Sequence, residues 1–147
     1  MSISISVIVP FHNEEMTLEE SVRSLIDNNI FKNIILVDDC SKDKSSEIAL
    51  KIKSKHNFVE YIRLDKNYGK GHAVKKGIEN IESSHIVIHD ADLEYDPVDI
   101  AEMFEVTKTN PTSLILGSRT IGLKIRKNRY KKTYFGNKIL TYFFFYN

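Results

Sequence analysis

IVIHDADLE, residues 86–94, runs from an apolar segment straight into an acidic loop. The apolar part, residues 86–88, predicts a buried strand, and the loop places Asp90 and Asp92 where that strand ends. Because alternate residues of an extended chain face the same side, the two carboxylates would lie close together and repel each other. A hard divalent cation such as Mg2+ or Mn2+, bridging to phosphate oxygens, would relieve that repulsion. An isolated Asp-X-Asp is more often a solvated acidic turn, so the rest of the sequence has to decide.

The composition is that of one ordinary domain. The chain has 147 residues, of which 41% are hydrophobic, and this is enough to bury a core. Its single cysteine, Cys40, cannot form an intramolecular disulfide, which is typical of a reducing compartment such as the cytoplasm. We find neither a secretory signal nor a run of about 18 apolar residues, and so expect no membrane-spanning segment. The formal net charge of +1 conceals a basic stretch at residues 124–132 and a mildly acidic remainder.

Short apolar runs alternate along the chain with segments in which apolar residues recur at helical spacing. Strands are predicted at residues 3–9, 33–37, 59–64, 86–88 and 113–116, and the first of them should stop where Pro10 removes a backbone donor. Helices are predicted between the strands, one of them with Pro97 in its first turn and another over about residues 17–27 with a capping box of Thr17 and Glu20. This order predicts an α/β fold in which a mostly parallel central sheet carries helices on both faces.

Polar side chains follow nearly every predicted strand. In a parallel sheet ligands bind beyond the carboxyl ends of the strands, so the topology would gather these residues along one rim. The convergence favours a functional site over a set of unrelated surface loops. The residues concerned are Glu14, Asp38, Asp39, Lys70, Asp90, Asp92, Glu94 and Arg119.

The glycine-rich loop at residues 67–72 enters a predicted helix. Backbone amides, Lys70 and the helix amino terminus could meet a phosphate there, although plain turn geometry explains the glycines equally well. The G-x-G-x-x-G and Walker spacings are absent, which disfavours dinucleotide-binding and P-loop enzymes. Asp39 could accept hydrogen bonds from a ribose or a base, whereas Asp43 or Ser41 would cap the next helix. The histidines lack metal-ligand spacing, so zinc is disfavoured.

Five segments in order carry a family resemblance. VIVPFHNEE (7–15), ILVDDCSKDKS (35–45), NYGKGHAVKKGI (67–78), HDADLEYDP (89–97) and LGSR (116–119) resemble the family-2 inverting glycosyltransferases of GT-A fold. The likeness extends from Ile5 to about Tyr142 and is strongest to the polyprenyl-phosphate hexosyltransferases. It implies a Rossmann-like nucleotide-diphospho-sugar transferase fold.

The resemblance also implies roles for individual residues. Asp92 and Arg119 would be catalytic, Asp92 by binding Mg2+ or Mn2+ together with Asp90, and Arg119 by meeting a phosphate of the donor or of a lipid acceptor. Lys70 would lie near the diphosphate, and Glu94 stands where many relatives carry glutamine. The nucleotide sugar of UDP or GDP type would be bound by Pro10, His12, Glu14, Val37, Asp39, Lys70, Asp90, Ala91 and Glu94.

The last segment differs in character from the rest. We divide the chain into a nucleotide-sugar-binding α/β domain at 1–122 and a segment at 123–147 that starts the acceptor-facing or membrane-facing part. Basic residues, among them Arg126, Arg129 and Lys131, precede an aromatic stretch at 134–146, a pattern typical of peripheral contact with the cytoplasmic membrane face. A basic linker followed by a core helix without its partners is the alternative, and nucleic acid ranks last. An exposed aromatic helix would favour a homo-oligomer.

The expected activity follows from the resemblance and the residues together. A metal-dependent enzyme would move a hexose, with inversion, from a nucleoside-diphosphate sugar to a polyprenyl phosphate, whose anionic oxygen needs no general base. Transfer to a saccharide hydroxyl is one alternative. A nucleotide-diphosphate-binding module without activity is another, because relatives continue past this length and we expect the chain to be truncated at its carboxyl end.

Overall fold

A computed structural model describes residues 3–94 and 97–115 of the chain. Strands and helices alternate through these residues, as the apolar pattern predicts. Their bounds are β1 Ile5–Phe11, α1 Leu18–Asn28, β2 Asn33–Asp38, α2 Ser45–Lys55, β3 Val59–Arg63, α3 Lys70–Ile78, β4 His85–Ile88 and α4 Pro97–Thr109. The predicted domain boundary at residue 122 lies outside the described residues.

The four described strands form one parallel sheet in the order β3-β2-β1-β4. The chain adds β2 and β3 on one side of β1 and then returns to place β4 on the other side. In register, Ile8 of β1 therefore has Ile35 and Ile88 as its two neighbours. The strand order reverses between β1 and β4, and such a reversal opens a crevice at the carboxyl ends of the two strands.

Helices cover both faces of the sheet, which confirms the predicted α/β architecture. Val7 and Val9 of β1 pack in one apolar cluster with residues of α1, α2 and α4. Ile8, between them in sequence, packs in a second cluster with Ala73 of α3. Because side chains alternate along a strand, an uninterrupted apolar run is what a strand buried on both faces requires.

Pro10 does not end β1, which continues to Phe11. The carbonyl of Ile8 accepts the amide of His89 on the β4 side, and the carbonyl of Phe11 accepts the amide of Asp39 on the β2 side. By alternation Pro10 faces the β4 side, where β4 has already ended at Ile88. The missing N–H of proline therefore removes no ladder hydrogen bond.

Three further expectations differ from the structure. Thr17 makes no capping hydrogen bond through its side chain, so the predicted capping box is wrong; its hydroxyl donates to Glu14 Oε2 at 2.9 Å instead. The β4 strand is not buried on both faces, since Ile86 and Ile88 are 42% and 50% exposed. Residues 113–115 form no strand, and residue 116 lies outside the described part.

A fully buried carboxylate, Asp38, holds the carboxyl end of β2 in place. Its Oδ1 accepts the amide of Ser41 at 2.7 Å, and its Oδ2 accepts the hydroxyls of Ser46 and Tyr61 at 2.5 and 2.9 Å. The guanidinium of Arg63 lies 3.2 Å from Oδ2. Burial alone would raise the pKa of Asp38, but the hydrogen bonds from Ser46, Ser41 and Tyr61 outweigh it and hold this pKa below 3.8.

Gly77 of α3 lies directly against Ile8 of the sheet. A Cβ at this position would lie 2.7 Å from Ile8 Cγ2, and Ile8 is fully buried. We expect Gly77→Ala to lower the free energy of unfolding by about 1–2 kcal/mol, because overpacking outweighs the gain in helix propensity. Gly71→Ala in the same helix is the control, since nothing lies within 4 Å of a Cβ there. Equal stability of the two variants in urea denaturation would contradict this packing.

We expect Asp38→Asn to lower the free energy of unfolding by about 2–4 kcal/mol near neutral pH, because buried donors lose an ionised acceptor. The folded-state pKa of Asp38 lies below its unfolded value of about 3.8, so its stabilising effect is complete above that pH and is lost as pH falls through the folded pKa. The difference between wild type and variant should therefore shrink in acid. Urea denaturation across this pH range measures it, with the exposed Asp65→Asn as control. A difference that does not change with pH would exclude an ionised Asp38.

Candidate functional site

A cleft of about 240 Å³ lies at the carboxyl ends of β1 and β4. This is the position where the strand order reverses. The volume is below the roughly 300–1,000 Å³ of typical small-molecule pockets. Its lining consists of Pro10, Phe11, His12, Glu14, Asp39, Lys70, Ala73, Asp90, Ala91 and Asp92.

Most of the site residues expected from the sequence meet in this cleft. Eight of the ten lining residues were singled out in advance, and the two that sequence reasoning missed are Phe11 and Ala73. Both are nearly or fully buried and apolar, so they carry no chemical signal of their own. Ala73 belongs to the apolar face of α3 that packs against Ile8. Its position one helical turn after Gly69 is the signal that could have placed it at the cleft.

The remaining expected residues do not line the cleft, or lie outside the described part. Val37 does not line the cleft but is fully buried in the apolar cluster that contains Ala73 of α3, and its role at the nucleotide stays a prediction. Glu94 is exposed, and its amide donates to Asp92 Oδ1 at 3.1 Å. Arg119, Arg126, Arg129 and Lys131 fall outside residues 3–94 and 97–115.

The loops after β1 and β2 are hydrogen-bonded to each other. The amide of Asn13 donates to Ser41 Oγ at 3.0 Å, and the amide of Lys42 donates to Asn13 Oδ1 at 2.7 Å. His12 donates from Nδ1 to the carbonyl of Asp39 at 2.7 Å, while its Nε2 lies 3.1 Å from Asn13 Nδ2 and accepts from it. Both loops therefore hold the imidazole at the cleft.

Left-handed backbone marks the same rim. Asn13, Cys40 and Leu93 have φ values of 58°, 61° and 60°, and they lie in the loops after β1, β2 and β4. A residue with a side chain adopts this conformation at a cost of about 1–2 kcal/mol. Such strain clusters at functional sites, where the surrounding hydrogen bonds maintain it. The fourth case, Asn29, is the ordinary left-handed cap at the end of α1.

The Asp39 carboxylate joins the loop after β2 to the loop before α3. Its Oδ1 accepts the amide of Tyr68 at 2.8 Å, and its Oδ2 accepts the amide of Gly69 at 2.7 Å. The residue is only 4% exposed. Both of its oxygens are therefore engaged with backbone, which the sequence did not indicate.

Lys70 and Asp90 form an ion pair in the cleft. Lys70 Nζ lies 2.6 Å from Asp90 Oδ1 and 2.7 Å from Oδ2. The side chains are 59% and 28% exposed, and a pair this accessible to water contributes only about 0–1 kcal/mol. Lys70 can therefore leave Asp90 for an anionic ligand at little cost.

The cleft offers two carboxylates, Asp90 and Asp92, to a cation. Within residues 3–94 and 97–115 no three histidine, cysteine, aspartate or glutamate side chains approach closely enough to hold a metal ion by themselves. Mg2+ is commonly bound by one or two carboxylates together with substrate phosphates and water. The pair therefore fits a metal whose coordination is completed by a bound diphosphate.

His89, between β4 and the acidic loop, is buried. Burial lowers its pKa below 6.5, and the opposing influence of Asp90 and Asp92 does not overcome this effect. The imidazole is therefore neutral at physiological pH and adds no positive charge to the cleft.

None of the helices in the described part of the chain is long and apolar enough to cross a membrane.

Known proteins of similar sequence are glycosyltransferases. Dolichol-phosphate mannosyltransferase of Pyrococcus furiosus is 36% identical over 122 residues, which cover 81% of this chain and 34% of the relative. Undecaprenyl-phosphate 4-deoxy-4-formamido-L-arabinose transferase of Photorhabdus laumondii subsp. laumondii is 31% identical over 109 residues, 71% of this chain and 34% of the relative. The chain thus spans about a third of the length of each.

The fold and the family follow from two further matches. Mannosyltransferase PcManGT from Pyrobaculum calidifontis, solved with GDP-Man and Mn2+, superimposes with a TM-score of 0.64 at 20% identity, over 73% of this chain and 33% of that one. This similarity confirms the expected GT-A fold. The model of the family described as Glycosyl transferase family 2 matches residues 6–146, nearly the whole sequence. The chain therefore belongs to glycosyl transferase family 2.

Proposed function

We propose that this protein takes part in transferring a hexose from a nucleoside-diphosphate sugar to a polyprenyl phosphate, with inversion at the anomeric carbon. The observation that carries the proposal is the cleft between β1 and β4, where Lys70 faces Asp90 and Asp92. Family membership and the lipid-phosphate relatives support the same reaction class.

The nucleoside end of the donor would lie against the loops after β1 and β2. Pro10, His12 and Glu14 line this side of the cleft. The amide of Glu14 donates to Ser45 Oγ at 2.8 Å, so the loop that carries it is fixed to α2. The carboxylate of Glu14 could accept hydrogen bonds from ribose hydroxyls, which occur in both UDP and GDP sugars.

The charge of the cleft supports a requirement for a divalent cation. Four carboxylates and one ammonium line it, which gives a net charge of −3 from Glu14, Asp39, Asp90, Asp92 and Lys70. A diphosphate is itself an anion and would be repelled from such a surface. Asp92, with Asp90, would hold Mg2+ or Mn2+, and the bound ion would offset the charge of the diphosphate.

The transfer itself is a displacement at carbon. An oxygen of the acceptor phosphate forms a bond to the anomeric carbon, and the bond from that carbon to the diphosphate oxygen breaks, so the nucleoside diphosphate leaves with the electron pair. Lys70 would stabilise the charge that develops on the leaving group, and we assign the same role to Arg119. Because the attacking oxygen is already anionic, no residue has to remove a proton from it.

The basic segment would place the site at a lipid surface. Arg126, Arg129 and Lys131 precede an aromatic stretch, and cations followed by aromatic rings suit anionic headgroups and the acyl boundary beneath them. We propose peripheral contact at the cytoplasmic membrane face, where a polyprenyl phosphate could reach the cleft. The same aromatic stretch would support self-association when no membrane is present.

The metal requirement is tested by calorimetric titration of the protein with UDP and with GDP, with and without Mn2+. Wild type should bind one of them at least about tenfold more tightly with Mn2+, and Asp92→Asn should lose most of that increment because a metal ligand is removed. Glu105→Gln is the matched control, an exposed carboxylate on α4 that pairs with Lys108. An undiminished Mn2+ effect in Asp92→Asn would remove Asp92 from the metal site.

The acceptor class is tested by incubating the protein with Mn2+, a UDP-hexose or GDP-hexose, and undecaprenyl phosphate in vesicles. We expect a glycolipid of the corresponding mass by mass spectrometry, and at least about a hundredfold less of it with Asp92→Asn, because charge stabilisation in the transition state is lost. Nucleotide binding without transfer would contradict the enzymatic proposal and favour a binding module. Transfer to added oligosaccharide instead of the lipid would contradict the acceptor assignment.

A further inference from the structure

The Asp39 carboxylate is hydrogen-bonded to the segment that leads into α3. Tyr68 and Gly69, whose amides it accepts at 2.8 and 2.7 Å, are the two residues directly before Lys70, the first residue of α3. The two amides bond to different oxygens of the same carboxylate. The carboxylate therefore fixes the orientation of this peptide segment as well as its distance.

Gly69, whose amide Asp39 accepts, is also the residue that directly precedes α3. Gly69 has φ +88° and ψ 160°, a conformation that glycine adopts without strain. Its carbonyl accepts the amides of His72 and Ala73 at 3.1 and 3.2 Å. The N–H of Gly69 is therefore bonded to Asp39, and its C=O is bonded to the first turn of α3.

Asp39 is in turn fixed to the centre of the sheet. Its amide donates to the carbonyl of Phe11 at 2.9 Å, and its carbonyl accepts from His12 Nδ1 at 2.7 Å. A continuous chain of bonds therefore runs from the end of β1 through Asp39 to Gly69. Lys70 follows Gly69 directly and reaches Asp90 across the cleft.

We propose that Asp39 is a positioning residue for Lys70, so that it acts on the diphosphate end of the donor through the start of α3. This inference rests on the proposed function, because it takes Lys70 to meet the diphosphate. The role differs from the one expected from the sequence, in which Asp39 contacts the base or ribose. In Asp39→Asn the side chain keeps one acceptor oxygen, so one of the two amides before α3 loses its acceptor and Lys70 loses its fixed position.

The chemical test uses a probe that has no base. Pyrophosphate with Mn2+ is titrated by calorimetry into wild type, Asp39→Asn, Lys70→Met, the double variant and the control Asp65→Asn. The control removes one exposed carboxylate from the loop before α3. We expect Asp39→Asn and Lys70→Met each to lower the affinity for pyrophosphate by roughly tenfold or more. The affinity of the double variant should match that of Lys70→Met within about twofold. The control should match wild type.

The same titrations with UMP and GMP measure binding of the base and ribose when only one phosphate is present. A residue that positions Lys70 should change the affinity for whichever monophosphate binds by less than about threefold, since little of the diphosphate contact is present. If Asp39 instead contacts the base or the ribose, Asp39→Asn should lower the affinity for the monophosphate and leave the affinity for pyrophosphate unchanged. That second result would overturn the proposal.

Hydrogen exchange of the ligand-free protein tests the structural step independently of any nucleotide. In Asp39→Asn the amides of residues 68–73 should exchange at least about tenfold faster than in wild type or Asp65→Asn, while those of β1 keep their protection. Unchanged exchange at residues 68–73 would overturn the proposal. Failure of every phosphate compound to bind wild type would count against the proposed function, and hydrogen exchange would still decide the role of Asp39 at the start of α3.

Discussion

Burial of β1 is the constraint on which the rest of this structure depends. All seven residues of the strand are buried, with neighbouring strands on both edges and helices over both faces. A side chain that needs water or a ligand can therefore appear only where the strand ends. His12 is the first residue beyond β1, and the polar residues of the cleft begin there. The position of the site thus follows from the impossibility of placing unpaired polar groups anywhere along β1.

Adjacent aspartates at the end of β2 show how strand geometry divides roles between identical side chains. Asp38 is the last residue of the strand, and its side chain turns inward to Ser46, Tyr61 and Arg63. Asp39 is the next residue along, and its carboxylate serves the amides before α3. Alternation along an extended backbone separates the two carboxylates, which would otherwise repel each other. One aspartate stabilises the fold at the end of β2, and the other lies at the cleft.

Periodicity in the sequence predicts much of this arrangement because it reports burial. The alternation of strands and helices, the parallel sheet and the gathering of strand-end residues all follow from apolar spacing, and they agree with the structure. Spacing does not report what covers a face: Ile86 and Ile88 remain exposed because α3 packs over β1 and β2 rather than over β4. Apolar spacing also does not indicate which hydrogen-bond partner a polar side chain finds. Thr17 bonds to Glu14 rather than capping α1, and Val37 points into the core although it adjoins two aspartates.

The electrostatics of the cleft explain why a weak ion pair between Lys70 and Asp90 would suit the diphosphate site that we propose. Without a ligand, Lys70 reduces the negative charge around Asp90, yet the exposure of both side chains keeps the pair weak. A strong, buried pair would hold the lysine and exclude it from any incoming anion. A cation entering beside Asp90 and Asp92 would replace Lys70 as the counter-charge and leave the ammonium free to bind a phosphate. Binding of cation and of diphosphate would then favour each other, because each removes a repulsion that the other meets.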